Sequence, residues 1–403
     1  MFNINIPTKV ETIIECLELN GYEAYIVGGC VRDSLLGKIP NDWDITTNAT
    51  PNEIINIFEK TIPTGIKHGT VTVLVDNIPF EVTTYRIDGE YSDGRHPDSV
   101  KFTESINKDL SRRDFTINAM AYNPKKGVVD IFDGCKDLDK KLIRCVGNPS
   151  IRFEEDALRM LRAIRFSAQL NFTIEETTIN SIKEKSPLIK EVSIERIQSE
   201  INKILLFDSS KLYLLKKVGL LEYIIPEICD DLSEILIFTN NIESNLHLKL
   251  TMLFRNMSLD STHYVLRRLR YDNKTINRVL ILSKYRDYNI ELDRISIKRI
   301  LNKLGDLTLF EDLIKLKMAN LSNEDPETLN LLNIQKRANI IIQQKECFLI
   351  KDLALNGKDL ISIGVNRGRE IGETLDKLLE IVIENPELNN KDELNKIVLE
   401  MIN

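Results

Sequence analysis

Two aspartates, Asp42 and Asp44, flank Trp43 in the segment YIVGGCVRDSLLGKIPNDWDITT. At the start of a strand, residues i and i+2 point to the same face, so both carboxylates can converge on one site. Like charges that close repel, and without a cation at least one carboxyl holds its proton. A divalent metal removes that penalty, and Mg2+ is the usual ion where oxygen ligands also meet substrate phosphates. A third carboxylate, Glu81, sits in PFEVTTYR, a strand pattern able to lie beside the first. Asp42, Asp44 and Glu81 suffice for a two-metal centre, with one ion on an attacking hydroxyl and the other on a leaving pyrophosphate. Asp42 and Asp44 are the expected metal ligands.

Other groups surround this pattern. A strand ending at Gly28-Gly29 lets the backbone approach a ligand with no Cβ in the way. The helix start that follows, Val31–Leu36, offers free N–H groups suited to a phosphate. Arg32 is placed to meet triphosphate oxygens; its alternative is an ion pair with Asp33 or Asp42. The glycine spacing differs from a Walker A loop, and Lys38 is followed by Ile39 rather than Ser or Thr. Further on, RRDFTINAM contributes Arg113 and Asp114, which residue type alone leaves open as a buried salt bridge tying strand to helix. In EEDALRMLRAIRF, Ala157, Leu161, Ile164 and Ala168 share one apolar face of a helical wheel. Asp156, Arg159 and Arg162 follow at i+3 and point away from it. With Arg165 that makes three arginines on one helix, more than a surface ion pair worth a few tenths of a kcal/mol requires.

The elements that must position these groups change character near residue 145. Before it lie short β-branched runs (EAYIVGG, WDITT, GTVTVLV, PFEVTTYR and VVDIFDG) interleaved with helices over Thr8–Leu19 and Pro51–Lys60. Thr50 caps the second helix and Pro51 takes its first position. The run from Gly69 to Val75 alternates as a half-buried strand does. After residue 150 the strands are expected to vanish into amphipathic helices. The expected fold is α+β: an N-terminal α/β head with a mixed sheet, followed by all-α segments.

Composition sets outer bounds. The 403 residues imply two to four domains at roughly 150 residues each. The 54 basic and 61 acidic residues give a net charge of -7, which argues against holding nucleic acid by bulk charge. A local basic track remains open: His263 to Leu304 carries eleven Lys or Arg against four Asp or Glu. That stretch reads either as a solvated helix face or as a phosphate-contacting surface. Trp43 is the only tryptophan, so a broad aromatic stacking surface is not expected. Cys16, Cys30, Cys135, Cys145, Cys229 and Cys347 are scattered and read as thiols in a reducing compartment. His68, His96, His247 and His263 lack metal-ligand spacing and read as structural. No signal peptide or membrane-length apolar run is present, so a cytoplasmic protein is expected.

GGCVRDSLLGKIPNDWDITT resembles the signature of the class II tRNA nucleotidyltransferase and bacterial poly(A) polymerase family, within the DNA-polymerase-β-like nucleotidyltransferases. The likeness continues through HGTVTV, PFEVTTYR, RRDFTINAMAY, EEDALRMLRAIRF and ERIQSEINKIL. The tail segment DLALNGKDLISIGVNRGREIGETLDKLL is similar to the tail of bacterial CCA-adding enzymes, so the resemblance covers nearly the whole chain. It implies a catalytic head at 1–146, a neck at 147–206, a body at 207–305 and a tail at 306–403. The implied partners are tRNA, held along neck, body and tail, with CTP and ATP as substrates. It further implies that Asp156 and Arg159 read the incoming base, that Arg162 and Arg165 lie nearby on nucleotide and primer contacts, and that Arg113 and Asp114 hold the sugar. The polar segment RIDGEYSDGRHPDSVKF resembles the flexible loop of members that add the terminal A.

Hydrogen-bond inventory shows how Asp beside Arg selects bases. A carboxylate only accepts and a guanidinium only donates. Cytosine and adenine present an amino donor beside a ring-nitrogen acceptor, whereas uracil and guanine present the reverse order. A rigid Asp-Arg pair therefore suits C and A and leaves unpaired groups against U and G, each costing about 1–3 kcal/mol. The expected reaction is template-independent addition of C, C and A to the 3′ end of tRNA with release of pyrophosphate. The alternatives are an A-adding enzyme, a bacterial poly(A) polymerase, or an inactive RNA-binding module. The acidic C-terminal helix KDELNKIVLEMIN departs from the basic extension of the poly(A) polymerases.

Overall fold

In the computed structural model the described residues are 4–89, 99–228, 230, 232–319, 321–322 and 324–402. Contacts divide the chain into two units, Met1–Leu232 and Ser233–Asn403. The first begins with helix α1 at Thr8–Leu19, over the residues whose periodicity predicts it. Strand β1 (Ala24–Val27), all four residues buried, leads into α2 (Gly29–Leu35). Then follow β2 (Ile45–Thr47), α3 (Pro51–Ile57), β3 (Thr61–Gly65), β4 (Thr70–Val75) and β5 (Ile78–Thr84). A small antiparallel ribbon joins β6 (Arg86–Asp88) to β7 (Val100–Phe102). After α4 (Ile106–Ser111) come β8 (Ala121–Asn123) and β9 (Gly127–Val129).

Seven strands form one sheet in the order β3-β4-β5-β2-β1-β8-β9. Only β2 and β5 run parallel, so the sheet is mixed. The β4–β5 hairpin turns through Asp76 and Asn77, whose φ values of 51° and 62° suit the tight turn that twisted strands prefer. Helix α3 stops at Ile57, three residues short of the expected Lys60. Thr50 caps it as the sequence suggests, and Glu53 completes a capping box, but the Lys60 carbonyl accepts the Leu74 N–H and is drawn to the sheet edge.

The remainder of the first unit is mostly helical: α5 (Gly134–Asp139), α6 (Pro149–Glu155), α7 (Leu158–Leu170), α8 (Glu176–Lys185) and α9 (Ile194–Asp208). Strands do not vanish after residue 150, however. Thr173–Ile174 pairs in parallel with Leu142–Ile143, tying the turn after α7 to the end of the head. Ala157, Leu161, Ile164 and Ala168 are buried, as the wheel predicts.

The second unit is helical, with two apolar clusters, one spanning Ile242–Phe348 and the other Cys347–Val398. Much of its basic stretch is spent on later acidic residues. Arg278 pairs with Asp306 and Asp312, Arg294 and Lys298 with Glu346, and Arg299 with Glu380 and Glu384. Arg267, Arg270, Lys274, Lys284 and Lys303 stay exposed, as a solvated helix face requires. Among the described residues, no helix is long and apolar enough to cross a membrane. Cys16, Cys30, Cys135, Cys145 and Cys347 are free thiols; Cys229, like His96, lies outside the described residues.

Candidate active site

Strand pairing brings the three carboxylates together. The parallel register sets Ile45 of β2 beside Val82 of β5, so the preceding residues, Asp44 and Glu81, are neighbours at equivalent positions. Asp42 lies two residues before Asp44, and all three line a cleft of about 630 Å³ with Trp43, Thr72 and Phe80. Their side chains are open to this cleft, yet protein crowds around Asp44. Burial raises its carboxyl, Arg113 opposes the rise, and the charges of Glu81 and Asp42 add to it; the net shift is upward. Like-charge strain of this kind is what a divalent ion relieves, and the all-oxygen donor set suits a hard cation. Among the described residues no group of three or more His, Cys, Asp or Glu is gathered closely enough to hold a metal alone. An ion here would complete its shell with water and substrate oxygens.

Gly28 stands at φ +82° and ψ -125°, backbone that side chains other than glycine's rarely adopt, and a Cβ there would sit 3.0 Å from Arg113 Nη1. Gly28→Ala is therefore expected to lower stability by about 1–3 kcal/mol, read as a reduced urea midpoint, and to displace Arg113. Gly29 opens α2 earlier than the expected Val31, and a Cβ there would meet only ordinary contacts. Arg113 donates to the fully buried Asp109 at 3.4 Å, and Asp109 also accepts from Arg112 Nε at 2.9 Å.

A polar chain runs from this corner to α7. Arg32 is buried: its Nε and Nη2 donate to Asp33 at 2.8 and 2.9 Å, and its Nη1 donates to Asn118 Oδ1 at 2.6 Å. Asn118 in turn donates to Asp114 at 3.2 Å, and Arg162 donates twice to Asp114, at 2.9 and 2.6 Å. Of the two partners open to Arg32 in the sequence, the structure pairs it with Asp33. Asp114 takes its salt bridge from Arg162, not from the adjacent Arg113. One buried ring, Phe166, lies beneath three guanidinia, those of Arg32, Arg162 and Arg165, at 5.3, 5.3 and 3.5 Å from its centroid.

Burial pushes the Asp114 carboxyl up, but Arg162, through its charge and hydrogen bonds, outweighs that and holds it at about 2, against an ordinary 3.8. A depressed carboxyl contributes stability that is fully present above its unfolded pKa and lost as pH falls toward the folded value. The wild type should lose roughly 2 kcal/mol more than Asp114→Asn between about pH 5 and about pH 2, measured by urea unfolding across that range. Equal acid sensitivity of the two proteins would count against the pair.

The residues expected to read the base differ most from expectation. Asp156 is not on the helix with Arg159: α6 ends at Glu155, and Asp156 has extended backbone at φ -149°. Its Oδ1 accepts the Leu158 N–H at 3.1 Å, satisfying a free donor in the first turn of α7, while its Oδ2 accepts from Arg196 of α9 at 2.8 Å. Aspartate's affinity for helix-start N–H groups breaks the helix there. Arg159 donates to Glu155 at 2.5 Å and to the Arg112 carbonyl at 3.2 Å. Arg165 turns toward α9, donating to Glu200 at 3.0 Å and to Gln169 at 2.6 Å. Sequence reading missed Asp109, Asn118, Glu155, Arg196 and Glu200. The i,i+4 spacings Asp109/Arg113, Asp114/Asn118 and Glu155/Arg159 were the available signals; Arg196 and Glu200 bond outside their own helix and gave none. Of the polar loop, residues 90–98 lie outside the described residues.

The sheet and its carboxylate cleft define a nucleotidyltransferase with a polymerase-type head. Residues 24–144 match the family described as Poly A polymerase head domain, and residues 241–398 match a tRNA nucleotidyltransferase domain 2 family. The chain is 37% identical to the CCA-adding enzyme of Ligilactobacillus salivarius and 34% identical to that of Lactobacillus helveticus, each match covering 96% of both chains. The crystal structure of the Bacillus stearothermophilus CCA-adding enzyme in complex with CTP superposes with a TM-score of 0.84 at 30% identity, covering 98% of this chain and 97% of that one. The chain belongs to the CCA-adding enzyme family, whose nucleotidyltransferases use divalent metal ions.

Proposed function

We propose that this chain adds C, C and A to the 3′ end of tRNA from CTP and ATP, releasing pyrophosphate at each step. The observation that carries the reading is the parallel β2–β5 register, which places Asp44 beside Glu81 with Asp42 two residues away in one open cleft. Asp42 and Asp44 are assigned to hold Mg2+, with Glu81 completing the acidic set. When bound, the ion supplies charge neutralisation at the reacting phosphate. The protein's own contribution is chiefly positioning. Gly28 and Gly29 let the nucleotide approach the backbone. Arg113 and Asp114 are assigned to the sugar, and Asp156 with Arg159 to the base edge. Arg32, Arg162 and Arg165, already engaged by carboxylates, are assigned to steady the surface against which nucleotide and primer lie.

For Arg159 to meet a base it must exchange its contact with Glu155 for one with the nucleotide. The four-part division stands as our assignment: head 1–146, neck 147–206, body 207–305 and tail 306–403. The exposed cations Arg267, Arg270, Lys274, Lys284 and Lys303 are assigned to tRNA phosphates, and the enzyme to the cytoplasm. The test offers each nucleoside triphosphate singly to tRNAs ending at the discriminator base, at C and at CC. Two C additions, then a single A on the CC end only, are expected, with UTP and GTP refused. Addition of A alone to the CC end would instead mark an A-adding enzyme, and long A runs on unrelated RNA a poly(A) polymerase.

A further inference from the structure

Phe166 of α7 is buried, yet its closest polar neighbours are cations. The guanidinia of Arg32, Arg162 and Arg165 all lie over its ring, each within the roughly 6 Å over which a ring's negative face attracts a positive charge. Phe115 meets the same ring edge to face, with centroids 5.7 Å apart at 79°, which ties it to the segment carrying Arg113 and Asp114. The three cations also strain one another. Burial lowers the pKa of Arg165, and the like charge of Arg162 adds to the fall against the pull of Glu200. A leucine would fill this space but offer those charges nothing; an aromatic face offsets their crowding.

Each guanidinium already has a carboxylate: Asp33 for Arg32, Asp114 for Arg162 and Glu200 for Arg165. Such pairs use the N–H edge of the guanidinium and leave its flat face free to stack. A substrate phosphate that reaches Arg32 or Arg162 must take N–H groups from that same edge. During the exchange a long side chain swings away unless its face is held, and a ring holds the face without competing for a single N–H. We propose that Phe166 is a positioning residue for nucleotide binding: its ring holds Arg32 and Arg162 by their faces while their edges pass from Asp33 and Asp114 to substrate phosphate. Release of Arg162 also frees Asp114 for the sugar. Arg165, nearest the ring, stays with Glu200 and anchors it to α9. The inference rests on the reaction assigned above.

Fluorine withdraws charge from a ring's face in steps while barely changing its size. The full chain is made with phenylalanine bearing one, two or three ring fluorines at position 166, alongside Phe166→Leu. CTP is assayed on tRNA ending at the discriminator base and ATP on tRNA ending in CC. KM for both nucleotides should rise together and stepwise, by about tenfold with three fluorines, while kcat and tRNA retention on filters stay within about twofold. Phe166→Leu should match the three-fluorine protein. The preference for CTP over UTP should not move, because the ring supports phosphate contacts and no base edge. A ring needed only for its shape gives a flat fluorine series, and one needed only for folding lowers kcat through the folded fraction and leaves KM alone. Either result overturns the proposal, as does a rise confined to one nucleotide. The fluorinated proteins keep the ring's shape and decide the matter even if Phe166→Leu does not fold. A wild type that adds CCA beside a flat series refutes this role alone; a wild type that adds nothing refutes the reaction.

Discussion

Asp44→Asn should reduce incorporation of both CTP and ATP by about a thousandfold or more, the scale on which removing one charge-stabilising group acts in phosphoryl transfer. Asp42→Ala should do the same, because neither carboxylate alone offsets the charge of a divalent ion in contact with the substrate. tRNA binding, measured by filter retention, should survive in both variants. The Asp44 shift separates loss of chemistry from loss of fold. Its carboxyl is raised by burial and by Glu81 and Asp42 despite Arg113, so the folded state favours the protonated form. Its contribution to stability is greatest at low pH and falls as pH rises through the raised value. Removing that charge should leave the metal-free protein at least as resistant to urea near neutral pH as the wild type. A variant that still turns over would remove the case for a metal centre on these residues. One that is inactive but also unfolded would contradict the electrostatics of the cleft.

Asp156→Ala should erode the choice of C and A over U and G by about 10- to 100-fold, the worth of one buried unpaired polar group. It should do so with little effect on tRNA affinity. The variant also leaves Arg196 without its 2.8 Å partner, so some stability is lost as well. The ratio of CTP to UTP incorporation is insensitive to that loss, because both substrates meet the same folded population. An unchanged ratio would mean that Asp156 serves only as the cap on α7 and the anchor of Arg196. Arg159 is held by Glu155 in this structure, and the same assay on Glu155→Gln shows whether releasing that grip alters the ratio.

The head was legible because its signals are local. A two-residue carboxylate spacing, a glycine pair after a β-branched run and a capped Pro51 helix each state their structure within a few residues. Helix α1 and the buried face of α7 followed from periodicity in the same way. The short β3 and β8 strands, and the pairing of Thr173–Ile174 with Leu142–Ile143, gave no such signal. They exist because neighbouring strands present N–H and C=O groups that need partners.

The sequence by itself determined the residue types of the chemistry: three carboxylates on strand patterns, a glycine pair, and an Asp followed by arginines at i+3 and i+6. Only the tertiary structure decided who pairs with whom. Arg113 pairs with Asp109, Arg162 crosses 48 positions to take Asp114, and Asp156 leaves the helix to cap α7 and bind Arg196. Spacing along a chain sets direction only over a turn or a strand. A guanidinium in a nearly dry interior bonds to the best-placed acceptor that packing delivers, however distant in sequence, because leaving it unpaired there costs more than any local preference returns.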